Sequence, residues 1–501
     1  MEDSQIEMNP NRVVRYLGKS PEELTKSDLI KFVEDNNITG INFHHVAGDG
    51  RLKTLNFVIT SKADLDRLLS SGERLDGSSL FSHIDATSSD LYIIPRYKTA
   101  FMNPFASMPT LDLLCSYYTK EGVPLPSSPT HIVRKSHEIL KENTGLSLLA
   151  MGEVEYYIVA DRHELYPTLA QRGYHESSPF TKHEDLRLEA MLAIAQAGGQ
   201  IKYGHSEVGH ILGEGMEMEQ SEIEFLPVPL ENAADQIVLA RWILRQVAYK
   251  HGVTVSFAPK VLVGHSGNGL HIHTILTKNG RSVMTEGMEL SDVARKVIAG
   301  YLVLASSLTA FGNTIPTSYL RLGTKQEAPT NVCWGARNRS ASVRVPLGWM
   351  NTGNMVKVAN PQESSEFLEP NDSQTVEFRC PDGSANVHLL LAGMAVAARH
   401  GVEREDALEL ADKLFVEADI LSSEQKALQE TLPELPASCW DSSECLLKDR
   451  LIYERDHVFS HLTIDALAKQ LKSYNDQELA KQICMDEDET KKLLRRYLHC
   501  S

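Results

Sequence analysis

Glu153 and Glu155 stand two residues apart in the stretch MGEVEYYIVA (151–160). The segment is β-branched and aromatic, so it reads as a strand, and residues two apart on a strand share a face. Two carboxylates held that close repel, and burial raises the cost of their charge. The same spacing recurs. LHIHTI puts His271 and His273 on one face, and TVEFRC does so for Glu377 and Arg379. HSEVGHILGEGMEMEQSEIEF adds Glu207, Glu222 and Glu224. Carboxylates in this number on strands, with imidazole beside them, call for divalent cations, Mg²⁺ or Mn²⁺ rather than zinc. A basic set follows: Arg337, Arg339 and Arg344 in ARNRSASVRVP, with Arg321 upstream in SYLRLGTKQEAP. Guanidinium forks beside divalent ions suit phosphate and carboxylate substrates. GTKQEAP has turn composition and reads as a flap.

These residues need a scaffold. TGINFHHV and RLKTLNFVI flank the turn residues 47–50 and read as a hairpin. SKADLDRLLSSG follows as a short helix, with Ser61 at its N-cap and Gly72 past its end. KEGVPLPSSPTH (120–131) carries three prolines and reads as a linker. Residues 1–120 are therefore expected to form a small α+β domain, and 121–501 a larger one. In the larger part HEDLRLEAMLAIAQAGG, ENAADQIVLARWILRQVAYKHG, SDVARKVIAGYLVLASSLTAFGN and ANVHLLLAGMAVAARHG have helical periodicity. VTVSFAPKVLVG and LHIHTILT read as strands, and from about 404 onward the chain reads as a charged helical extension.

The chain has 501 residues, 42% hydrophobic and 23% charged, with formal net charge −17. Such acidity argues against nucleic acid as a partner, while arginines and divalent ions can reverse the field inside a cleft. The seven cysteines form no C-x-x-C pair, which fits a reducing compartment. The polar, acidic start MEDSQIEMNPNR does not read as a signal peptide, and LLLAGMAVAA (389–398) is too short to span a bilayer. A cytoplasmic protein without membrane partners is expected.

DGSS, GEVEYY, GLHIH, QEAP…ARNRSASVRVP and VEFRCPDGSAN occur in the order, and at roughly the spacings, of bacterial type I glutamine synthetase, which the chain resembles from about residue 40 to 400. The resemblance implies an N-terminal β-grasp domain, and a catalytic α/β domain around a curved antiparallel sheet. It implies a dodecamer of two hexameric rings with active sites between subunits. The implied reaction joins ammonia to the γ-carboxylate of L-glutamate through γ-glutamyl phosphate, using ATP and two Mg²⁺ or Mn²⁺ ions. By motif matching Glu155, Glu207 and Glu222 would hold one ion, and Glu153, His271 and Glu377 the other. Arg321 and Gly267 would meet glutamate. Arg339, Arg344 and Arg379 would clamp the phosphoryl group and γ-carboxylate, and His273 would contact phosphate. Glu327 would close the flap. Asp76, assisted by Asp90, would bind ammonium for the neighbouring subunit.

The sequence also departs from that pattern. About seven extra residues separate Glu207 from Glu222, which makes Glu217 and Glu219 rival ligands. Ser266 replaces an asparagine on the substrate side, and Thr375 and Ile275 replace an arginine and a serine near the nucleotide. A γ-glutamyl-amine ligase and an inactive structural or regulatory homologue are the alternatives. TLPELP (431–436) places Pro433 where some type I enzymes carry an adenylylated tyrosine, so that modification is not expected.

Overall fold

The computed structural model describes residues 6–213, 215–323, 328–348, 353–365, 374–479 and 487–501. The first sheet contains β1 (Gly40–Val46), β2 (Leu52–Val58), β3 (Glu73–Asp76), β4 (Asp90–Pro95), β5 (Phe101–Met102) and β6 (Thr110–Tyr118). Its order is β2-β1-β6-β4-β3, with β5 beside β6. The β1–β2 hairpin forms as its turn residues predict, and β1 runs parallel to β6. Helix Lys62–Ser71 is capped by the Ser61 side chain and ends at Gly72, whose φ of 63° suits a residue without Cβ.

The second sheet is built on β7 (Ser147–Asp161), β8 (Ile201–Leu212), β9 (Met216–Phe225), β10 (Val228–Pro229), β11 (Thr254–Ser256), β12 (Leu270–Lys278) and β13 (Arg281–Ser282). A short separate hairpin follows, β14 (Thr285–Glu286) and β15 (Glu289–Leu290), before the sheet resumes with β16 (Trp334–Ala336), β17 (Val343–Val345) and β18 (Val376–Phe378). The order is β16-β17-β18-β12-β7-β9-β8, antiparallel throughout except for β16 against β17. One face carries helices α1 (Pro129–Thr144), α2 (Glu184–Gln196), α3 (Leu230–Lys250), α4 (Asp292–Gly312) and α5 (Val387–Glu403). Their apolar residues make one continuous core with the sheet, while the smaller domain has its own. α4 is long and apolar enough to cross a membrane, but most of it is buried against its neighbours, as in a core helix. The domains are joined through Arg96, whose guanidinium forks onto Asp235 of α3 at 2.7 and 3.0 Å.

Two expectations need correction. VTVSFAPKVLVG is a strand only over Thr254–Ser256. Beyond it the Asn268 side chain takes the carbonyls of Ser256 and Ala258, so the chain leaves the ladder. The region after 404 is not uniformly helical either: residues 414–438 are mostly irregular. In that region 431–436 lies against 330–332, with the Val332 N–H donating to the Pro433 carbonyl at 2.8 Å.

Candidate active site

Directly opposed residues on antiparallel strands share a face. β7 lies between β9 and β12, so Glu153 faces Glu224 on one side and His271 on the other, and Glu155 faces Glu222. His273 faces Glu377, which faces Arg344. On β8, Tyr203 faces Glu224 and His205 faces Glu222. All of these fall on the face not covered by the helices. Glu207 lies in an irregularity of β8 between Ser206 and His210, which turns it towards the same side. The result is a cleft of about 450 Å³, with Gly267, Arg321, Arg339 and Arg379 completing its wall.

The contacts are close. His271 Nδ1 lies 3.0 Å from a Glu153 oxygen and 3.8 Å from Glu377, and its Nε2 lies 3.9 Å from Glu155. His273 Nε2 is 2.8 Å from the other Glu153 oxygen, and its Nδ1 is 2.8 Å from the Thr375 hydroxyl. Arg344 donates to Glu377 at 2.9 Å, and Arg379 donates to its other oxygen. His205 Nε2 lies 3.1 Å from Glu222.

Charge is unevenly compensated. Burial opposes ionisation of Glu153, but His273 and His271 outweigh it and hold the carboxyl well below its usual range. Burial likewise opposes ionisation of Glu377, and Arg379 overcomes it, bringing the value down to about 2. Glu155 has less relief: burial, then the Glu207 charge, push it up to about 8. Burial and four neighbouring carboxylates push Glu222 well above its usual range. Burial and Arg379 bring His271 down to about 4, leaving a neutral imidazole with a lone pair to offer. The donor set therefore lacks positive charge around Glu155 and Glu222, which is what a divalent ion supplies. Among the described residues three groups bring their donor atoms within 4.8 Å: Glu153–Glu222–His271, Glu153–His273–Glu377 and His205–Glu222–Glu224.

The end of the cleft formed by Gly267 and Arg321 is fixed by polar ties. Gln220 donates to Glu155, to the Gly267 carbonyl and to Asn268 at 3.1–3.2 Å, and the Gly269 N–H donates to Glu155 at 2.7 Å. The Tyr157 hydroxyl holds the Ser266 carbonyl at 2.9 Å. Arg321 is buried and held by the carbonyls of Arg379, Cys380 and Pro381. Asp76 and Asp90 face each other on β3 and β4 of the smaller domain, and neither lines the cleft. Asp76 accepts from the hydroxyls of Ser78 and Ser79 at 2.8 and 2.7 Å. Glu327 lies outside the described residues. Glu217 and Glu219 differ in strand parity from Glu222 and occupy the opposite face, so they do not compete for the cleft. The sequence counts Glu224 among the acidic residues but in neither implied ligand set, and it does not single out His205, although alternation back from Glu207 along β8 pointed to it.

Residues 126–487 match the glutamine synthetase catalytic domain family, and residues 37–120 match the glutamine synthetase beta-Grasp domain family. The chain belongs to the glutamine synthetase family. The glutamine synthetase of Thermus thermophilus is 28% identical over 87% of this chain and 93% of its own length. The 3-hydroxylaminophenol mutase of Cupriavidus pinatubonensis is 29% identical over 88% and 93%. Among solved structures, Plasmodium falciparum glutamine synthetase superposes with a TM-score of 0.72 at 20% identity, covering 90% of this chain and 96% of that one. A GmaS–ADP complex superposes equally, TM-score 0.72 at 18% identity, covering 93% and 99%. Those likenesses establish a β-grasp domain followed by a catalytic domain with a curled sheet. Members of this family generally use ATP and divalent metal ions, and the acidic cleft has donors for such ions.

Proposed function

We propose that the protein is a glutamate–ammonia ligase of the type I class, making glutamine from L-glutamate, ammonia and ATP in the cytoplasm. The observation that carries this reading is one sheet face on which buried carboxylates and His271 adjoin four arginines of one cleft. Glu155, Glu207 and Glu222 would hold one Mg²⁺ or Mn²⁺, and Glu153, His271 and Glu377 the other. Bound ions would neutralise phosphate charge and polarise the transferred group. Arg321 and Gly267 seat the amino acid. Arg339, Arg344 and Arg379 hold the γ-carboxylate and the incoming phosphoryl group, and His273 contacts phosphate. A γ-carboxylate oxygen attacks the terminal phosphorus of ATP and ADP leaves. Ammonia then attacks the acyl carbon and phosphate leaves. Ammonium must first lose a proton, the role given to Asp76 with Asp90. Glu327 excludes water from the acyl phosphate. The domains divide near residue 120, and a dodecamer of two rings would bring Asp76 to a neighbour's cleft.

A γ-glutamyl-amine ligase is the second reading, favoured by Ser266 in place of asparagine. The test is glutamate-dependent ADP release with ammonia against a panel of primary amines. Higher kcat/KM for ammonia supports the first reading, and higher kcat/KM for an amine supports the second. No ADP release with any acceptor would leave neither standing.

A further inference from the structure

The stretch that carries Gly267 has no ladder to hold it. β11 ends at Ser256 and β12 begins at Leu270. Residues 257–269 must therefore be held largely by side chains. Asn268 supplies part of this support. Its amide donates to the carbonyls of Ser256 at 3.1 Å and Ala258 at 2.9 Å, and accepts from Gln220 at 3.1 Å. Gln220 also reaches Glu155 and the Gly267 carbonyl. The rest of the support comes from far along the chain. The Ser256 hydroxyl, fully buried, accepts from the Ala258 N–H at 3.2 Å and donates to the Leu498 carbonyl at 2.6 Å. Leu498 belongs to YLHCS (497–501), which follows the helix Glu487–Arg496. Arg245 of α3 donates to the carbonyls of Cys500 and Ser501 at 3.2 and 2.6 Å. Cys500 is buried in an apolar cluster with Ala258 and Val261 of the irregular stretch and with Tyr157, whose hydroxyl holds the Ser266 carbonyl. Tyr497 and Leu498 pack on the edge of that cluster.

We propose that residues 497–501 are a positioning latch, which fixes the stretch 257–269, and with it Gly267, in the geometry that receives the amino-acid substrate. The role of Gly267 rests on the function proposed above, while the hold on 257–269 stands on these contacts alone. The latch has two links, one polar and one apolar. Without Leu498 the Ser256 hydroxyl loses its acceptor, and without Cys500 the cluster loses the side chain that closes it over Ala258 and Val261. Ala258 is then loosened at its N–H and at its methyl group together. Asn268 grips the Ala258 carbonyl and adjoins Gly267, so the disturbance passes to the cleft. The carboxylates and His271 stay in their strand ladders, so the latch acts on substrate affinity more than on the chemical step.

The test compares the full chain with one that stops after Arg496 and with Cys500→Lys, whose charge neither the apolar cluster nor the nearby Arg241 and Arg245 would tolerate. Two quantities are measured: hydrogen exchange of the amides in 257–269, and the glutamate dependence of ADP release at saturating ATP and Mg²⁺. Both variants should exchange faster in 257–269, with β7 and β12 unchanged. Their KM for glutamate should rise roughly fivefold, equivalent to one buried hydrogen bond, with kcat within about twofold of wild type. Exchange equal to wild type overturns the proposal, and so does faster exchange with an unchanged KM. If the shortened chain does not fold, Cys500→Lys carries both measurements. If the wild type releases no ADP, the ligase reading falls, and hydrogen exchange alone decides whether the latch holds 257–269.

Discussion

Glu155 on β7 and Glu222 on β9 stand directly opposite each other, and both carboxyls are pushed up by burial and by neighbouring carboxylates. In the metal-free protein a proton therefore does part of a cation's work. Adding Mg²⁺ to chelated protein at pH 7 should release on the order of one proton per chain, measurable by pH-stat. The sign for stability follows. Between the ordinary carboxyl range and about 8 the folded metal-free protein holds a proton that the unfolded chain has lost, so its stability falls as pH rises through that window. Saturating Mg²⁺ should flatten the slope. Binding without proton release would contradict the charge balance described.

Glu377 is fully buried between Arg344 and Arg379. Glu377→Gln removes a proposed metal ligand and leaves both guanidinium groups uncompensated. The expected cost is about 3–5 kcal/mol of stability, read by urea titration, together with loss of ADP release. Near wild-type turnover at low Mg²⁺ would show that Glu377 does not hold an ion.

Asp76 lies on the smaller domain away from the cleft of its own chain. If it serves a neighbour, Asp76→Ala and Glu155→Ala chains, each inactive alone, should regain part of the wild-type turnover when unfolded together and reassembled. Full activity in a chain that sediments as a monomer would refute the shared site.

Asp235 ties the domains through Arg96 and also meets His388 at 3.1 Å. Burial opposes its ionisation, but Arg96 and His388 hold it well below the ordinary 3.8. Its stabilising contribution is thus complete above that value and is lost as pH falls through the lower, folded-state value. Asp235→Asn should destabilise the protein by about 3 kcal/mol at neutral pH, with the difference from wild type shrinking in acid. A difference independent of pH would point to packing rather than charge.

Pro433 has no hydroxyl, and Tyr453 is fully buried with its hydroxyl on Ser307. Protein isolated from nitrogen-replete cells should therefore show no tyrosine-linked AMP by intact mass. Such an adduct would refute the expectation.

The chemistry of this chain was legible where strand alternation alone set direction. Glu153, Glu155, His271, His273 and Glu377 meet because their strands are regular. Glu207 reached the cleft through an irregularity in β8 that alternation does not foresee. Glu217 and Glu219 remained rivals to Glu222 until strand pairing assigned their face. VTVSFAPKVLVG misled because an amide side chain, Asn268, satisfied carbonyls that the composition assigned to a ladder. His205 was missed because it joins the site through its cross-strand neighbour Glu222.

Residues 377–381 carry Glu377, then Arg379, then two of the carbonyls that grip Arg321. On the proposed reading a single stretch of backbone would therefore serve both the ion and the seat of the amino acid's carboxylate. Ordering that stretch with one ligand reduces what the other must spend to order it, so the two should bind cooperatively. Thermodynamic linkage makes the effect reciprocal: whatever factor glutamate adds to metal affinity, metal must add to glutamate affinity.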